Sequence, residues 1–165
     1  MSFGSRLRQI THKSIPEEEA ILGWRTWWIA GDVDAPRLQS TWDWLPQSQS
    51  VWPPGRPAGP ATYGYFVYDK ESAARGKALT VHAWGAVRAW GLISRGHAHY
   101  QPGYLAEFAY PVSVEVPMNL DAVVYGDGPY FPTETWVPEN ADAVMRGLRA
   151  AYPGVEFTER WYSAR

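Results

Sequence analysis

The sequence predicts one α+β domain: a mixed or antiparallel, tryptophan-rich β-sheet, in one arrangement closed into a small barrel, with a helix near the C-terminus. Three observations carry this expectation. A chain of 165 residues with 45% hydrophobic and 19% charged residues has the length and balance of a single folded domain. Several aromatic and β-branched runs are separated by Gly and Pro turn signals. One late segment repeats its apolar residues at helical spacing. Residues 1–13 read as a basic tail and 14–165 as the domain.

Taken in order, Ser14-Ile15-Pro16-Glu17 predicts a short helix, with Ser14 capping and Pro16 in the first turn. Ile21 to Ile29, with Trp24, Trp27 and Trp28, predicts a strand. Gly31-Asp32 turns the chain, and Arg37 to Trp44 predicts a second strand. Residues 45–61 hold Pro46, Pro53, Pro54, Pro57 and Pro60. Proline has no N–H to give a ladder, so this segment should run over the surface as a loop. Tyr63 to Tyr68 predicts a strand, and Asp69 caps a short helix through Ala74 that ends at Gly76. Leu79 to Ile93 is the longest β-like run. Within it Ala83-Trp84-Gly85 and Ala89-Trp90-Gly91 repeat at an offset of six, which places Trp84 and Trp90 on one face of an unbroken strand. Ser94 to Pro102 reads as a connection. Tyr104 to Tyr110 and Val112 to Val116 read as strands around Pro111, and 117–138 as a loop. Ala141, Val144, Met145, Leu148 and Tyr152 predict a helix from Ala141 to Tyr152, capped by Asn140 and stopped by Pro153-Gly154. Val155 to Tyr162 predicts a last strand. Trp24, Trp84, Val87 and Phe108 are expected in the core.

Composition excludes some functions. A net charge of -2 gives no bulk attraction to nucleic acid or an anionic membrane. With no cysteine there are no disulfides and no thiolate metal sites. No apolar run is long enough to span a bilayer, and none follows the basic start, so a cytoplasmic protein without membrane contact is expected. There is no Gly-x-Ser-x-Gly elbow, phosphate loop or His-Glu-x-x-His motif. No catalytic residue, cofactor or metal is therefore assigned. His97 and His99 would share a strand face but lack a spaced third ligand. Glu107 lies among apolar residues with the strand parity of Leu105 and Ala109, where an ion pair with Arg25 or Arg88 would hold it.

Ten tryptophans exceed what so small a core needs, so some are expected at a recognition surface. Trp42, Trp44 and Trp52, beside the Pro-rich loop, are the candidates for a protein-facing patch, with at least one of them exposed. Trp84, Trp90 and Tyr104 are candidates for stacking on a flat ligand. Arg25, Arg88, Arg95, His97, His99 and Glu107 are candidates for a polar rim. The leading expectation is a non-catalytic binding protein with a protein partner. A small-barrel reader of a nucleotide, modified base or nucleic acid is the alternative, and a hydrolase-like enzyme using His82, His97, His99 or Glu107 is the third.

Gly23-Trp24-Arg25, Gly64-Tyr65-Phe66-Val67-Tyr68, Val81-His82-Ala83-Trp84-Gly85-Ala86-Val87 and Gly103-Tyr104-Leu105-Ala106-Glu107-Phe108-Ala109-Tyr110-Pro111 resemble the pattern of an uncharacterised family of small actinobacterial and actinophage proteins. The resemblance covers roughly residues 21–116. The resemblance carries no activity over to this chain; joined to the binding-protein expectation above, it extends that expectation to a phage-encoded protein directed at a host protein. Members of that family carry Cys-x-Cys-Gly just before the aromatic strand, where this chain has Ala61-Thr62-Tyr63-Gly64, so any metal role of that segment is lost here. The strand order is also similar to PUA-like small barrels, which read modified bases or RNA.

Overall fold

The computed structural model describes residues 13–41, 51–61, 64–78, 82–98, 101–118 and 141–160. The strands are β1 (Lys13–Ile15), β2 (Ile21–Asp32), β3 (Ala35–Ser40), β4 (Tyr65–Tyr68), β5 (Ala83–Ala98), β6 (Gln101–Pro117) and β7 (Glu156–Arg160). The helices are α1 (Glu71–Lys77) and α2 (Ala141–Ala151).

All seven strands belong to one mixed sheet, ordered β1-β5-β2-β4-β6-β7, with β3 on β2. Every pairing is antiparallel except β6 with β7. Because β5 also pairs with β6, strands β5, β2, β4 and β6 form a closed ring of hydrogen-bonded neighbours. The link between β2 and β4 is a single pair, Trp24 with Tyr68. Among the described residues no helix is long and apolar enough to cross a membrane.

The inward faces fill the ring. Trp27, Leu38, Trp52, Val67, Val87, Ile93, Val114 and Val116 are nearly or fully buried in one cluster. The face of α2 made by Ala141, Val144, Met145, Leu148 and Ala151 closes onto the same cluster, as the helical spacing predicts. β4 is buried on both sides. Tyr65 and Val67 face the main core, while Phe66 and Tyr68 face outward under Ala73 and Ala74 of α1.

The described part of the Pro-rich segment folds back as scaffold. Trp52 is 1% exposed, packs edge-on to Trp27 at 5.5 Å and donates from Nε1 to Ser40 Oγ at 2.9 Å. Trp52 is therefore a core residue and not the exposed anchor its loop position suggests; Trp42 and Trp44 lie outside the described residues. Just beyond α2, the Tyr152 hydroxyl accepts from Leu38 N–H at 2.9 Å and donates to Trp52 O at 2.7 Å. One phenol thus ties β3, the folded-back segment and the C-terminal helix together.

Several other expectations need correction. Lys13–Ile15 pairs with Ile93, Leu92 and Gly91 as a strand, and only a 3-10 turn, Glu17–Glu19, follows it. Ser14 caps nothing, because the ladder with β5 satisfies the backbone there. Asp69 does not cap α1 either: the N-cap is Lys70, with no side-chain cap bond. Ser94–Ala98 and Gln101–Pro102 are strand, not connection, since β5 and β6 form one long hairpin. Pro111 does not divide β6. It opposes Val87 at a register shift, where the missing N–H is tolerated.

Candidate functional site

The site is built from two rows of residues that run side by side across the outer face of the sheet. In one row Trp24 of β2, Ala86 of β5, Ser113 of β6 and Glu156 of β7 are successive pairing partners. In the next row, two residues along each strand, stand Thr26, Trp84, Glu115 and Thr158. Strands lie about 4.8 Å apart, so each row spans roughly 14 Å. Two-residue periodicity puts all eight on the same face.

Size decides the shape. The indoles of Trp24 and Trp84 stand at one end as diagonal cross-strand neighbours. Between them and the carboxylates of β7 and β6 come the small residues Gly85, Ala86 and Ser113. The result is an open cleft of about 280 Å³, lined by these residues with Glu71, Val114, Glu115, Glu156 and Thr158. Gly85 is required by the floor: a Cβ there would collide with the backbone oxygen of Ser113. Trp24 and Trp84 are half-buried, packed against the cluster of Phe66, Tyr68, Ala73 and Ala74. They were expected to be core residues, but the outer face leaves them partly in solvent.

The rim is mostly acidic. Glu71, from the first turn of α1, Glu115 and Glu156 are its charged lining residues. Arg75 pairs with Glu71 at 2.7 Å and holds its guanidinium 5.3 Å from the Trp84 ring centroid. Arg160 pairs with Glu115 at 3.3 Å. Glu156 has no ion-pair partner among the described residues.

The other candidates are scattered. Trp90 has the outward parity of Trp84, but six residues of strand separate them by about 20 Å. Trp90 stacks on Phe108 at 5.9 Å, with Arg88 over its ring at 5.6 Å. Arg25 points into the ring and is 2% exposed; it donates to Phe66 O at 3.2 Å and lies 4.9 Å over the Trp52 ring. Tyr104 pairs with Val67 and Arg95 and is partly buried against the main core. Burial raises its phenol pKa; the Asp69 carboxylate adds to this and Arg95 opposes it. His97 opposes Pro102 on the long hairpin, and His99 lies outside the described residues. Among the described residues no three His, Asp or Glu side chains are grouped to hold a metal.

Glu107 finds neither Arg25 nor Arg88. Its Oε1 accepts from Leu92 N–H at 3.1 Å, at the bulge where Gly91 takes a φ of 80°. The bulge also breaks the expected parity: Ala109 joins the main core while Leu105 packs with the cluster under α1. Glu107 borders a larger groove of about 390 Å³ with Pro60, Ala61, Gly64, Leu92, Ser94 and Leu105. Its described lining holds no aromatic ring, and its one carboxylate is already engaged by backbone, so the smaller cleft is the better recognition site.

Trp24, Glu71, Glu115 and Glu156 were missed as site residues by sequence reasoning. A signal existed in the alternation Ser113-Val114-Glu115 and Glu156-Phe157-Thr158, where polar residues share one face of a strand whose other face is apolar. What the alternation lacks is which strands are neighbours. No protein-family model matches the chain, and comparisons with curated proteins and with solved structures return no significant match.

Proposed function

We propose that the protein is a non-catalytic binding protein that recognises another protein through the Trp24–Trp84 cleft. The observation that supports this reading is the pair of partly exposed indoles at the end of a small-residue floor. Indole offers a large, rigid contact area with little entropy to lose, and for that reason Trp dominates binding hot spots. A partly exposed tryptophan pair packed against the cluster beneath α1 is preorganised, so a partner loses little on ordering it. Glu156, the lining carboxylate with no ion-pair partner among the described residues, favours a protein over the nucleotide alternative, because a phosphate entering the cleft would meet like charge.

A random-peptide display selection against the whole chain tests the reading. Peptides are expected that bind the wild type and lose about 30-fold or more, roughly 2 kcal/mol, against Trp24→Ala or Trp84→Ala. Circular dichroism checks that each variant is folded, and Glu156→Gln, on the exposed edge of the cleft, provides a variant that leaves the indoles in place. Peptides that bind all variants equally, or no enrichment at all, would sink the proposal.

A further inference from the structure

One side chain already occupies the aromatic wall. Arg75 lies over Trp84 and is anchored to Glu71, four residues earlier on the same helix. Both side chains are well exposed, at 60% and 50%. An exposed ion pair of this spacing is weak and readily exchanged. Arg75 is therefore held in place loosely.

The rest of the cleft suits the same chemistry. Its described lining contains three carboxylates and no basic side chain. Glu115 is shared with Arg160, whereas Glu156, exposed on β7, has no ion-pair partner among the described residues. An indole face attracts a cation through its quadrupole, and an acidic rim adds to that attraction. A guanidinium is flat and weakly hydrated. It stacks on indole while its N–H fork engages a carboxylate, which a compact ammonium does less well. Trp84 with Glu71 is already such a site, filled from within by Arg75.

We propose that the cleft takes an arginine side chain of the partner protein, and that Arg75 is a displaceable stand-in for it in the free protein. This rests on the cleft being the recognition site. It commits to more: the contacting residue is arginine, and Arg75 competes with it.

The test uses the full chain and three blocked tripeptides, acetyl-Gly-X-Gly-amide with X arginine, lysine or the neutral isostere citrulline. Binding is followed by the indole N–H resonances of Trp24 and Trp84 in NMR titrations. The arginine peptide is expected to shift both resonances, lysine to bind more weakly, and citrulline to leave them unmoved. Arg75→Ala is expected to tighten the arginine peptide by about 2- to 5-fold, the scale of one exposed cation–π contact. Glu156→Gln should weaken it without changing the thermal midpoint. Citrulline binding as well as arginine, no shift with arginine at tens of millimolar, or unchanged affinity in Arg75→Ala would each overturn the inference. Display-selected peptides that depend on Trp24 and Trp84 but lack arginine would overturn it too, while leaving the recognition cleft standing. A selection yielding no tryptophan-dependent peptide would sink the cleft reading itself.

Discussion

Two tryptophan pairs of one sheet, each with an arginine against it, have opposite fates. Inside the ring, Trp27 and Trp52 meet edge-on, and Arg25 lies 5.9 Å and 4.9 Å from their centroids. Its guanidinium donates to the backbone oxygens of Phe66 and Thr26, away from water. Outside, Trp84 of the Trp24–Trp84 pair carries Arg75, held by an exposed glutamate. Trp24 and Trp27 are three residues apart on β2, an odd offset that sends them to opposite faces. The same indole–guanidinium chemistry is scaffold where water is excluded and exchangeable where water has access. Solvent access, not residue type, separates the two.

The largest expected effect tests the inner pair. Trp52→Ala should lower stability by about 3–5 kcal/mol, measured by urea or thermal unfolding, because the surrounding ring cannot collapse into the space. A change below about 1 kcal/mol would make Trp52 peripheral and dissolve the contrast.

Tyr152→Phe comes next, at about 2–4 kcal/mol, since Leu38 N–H and Trp52 O would both be left buried without their partner. The same phenol produces a pH dependence. Burial pushes its pKa up to about 12 from the ordinary 10.0. Between those values the folded chain keeps a proton that the unfolded chain releases. Its contribution is fully present below pH 10 and falls by about 1.4 kcal/mol per pH unit until the loss is complete near 12. Burial also raises Tyr68, Tyr104 and Tyr110, which broadens the transition. The fall should be shallower in Tyr152→Phe; equal slopes in alkaline unfolding curves would remove the phenol from the account.

Trp84→Ala should lower stability less than Trp52→Ala does, by about 2–3 kcal/mol, because its ring is only partly buried. It should nonetheless abolish Trp-dependent peptide binding. If it unfolds the protein as readily as Trp52→Ala does, the outer pair is core and the comparison fails.

The smallest effect is Arg75→Ala, at about 0.5 kcal/mol, the scale of an exposed helix pair. Thermal melts at low and high salt would measure it. A loss of several kcal/mol would show that Arg75 is fixed structure rather than a stand-in.

Local chemistry was readable wherever it was strong. The aromatic run at 21–29, the two Ala-Trp-Gly segments and the spacing of Val144, Met145 and Leu148 mark β2, β5 and α2. Ser14-Ile15-Pro16-Glu17 misled because its capping signals are local, whereas the ladder to β5 that won is formed with residues 91–93. The prolines near Trp52 argued correctly against a central strand, but they say nothing about where the ring beside them goes.

The sequence by itself determined a cysteine-free, Trp-rich chain whose periodicities specify strands and a C-terminal helix, because side-chain period and turn chemistry act over a few residues. Tertiary structure alone decided which tryptophans line a cleft. Trp84 and Trp90 share a parity yet sit in different surroundings, since the first packs against the cluster beneath α1 and the second stacks on Phe108. The bulge at Gly91 changes the facing of Leu105, Glu107 and Ala109 in a way no count along one strand anticipates. The acidic rim exists because β7 pairs with β6 and α1 follows β4. The β6–β7 ladder joins residues 43 positions apart, Ser113 with Glu156, and no local run of residues specifies that pairing.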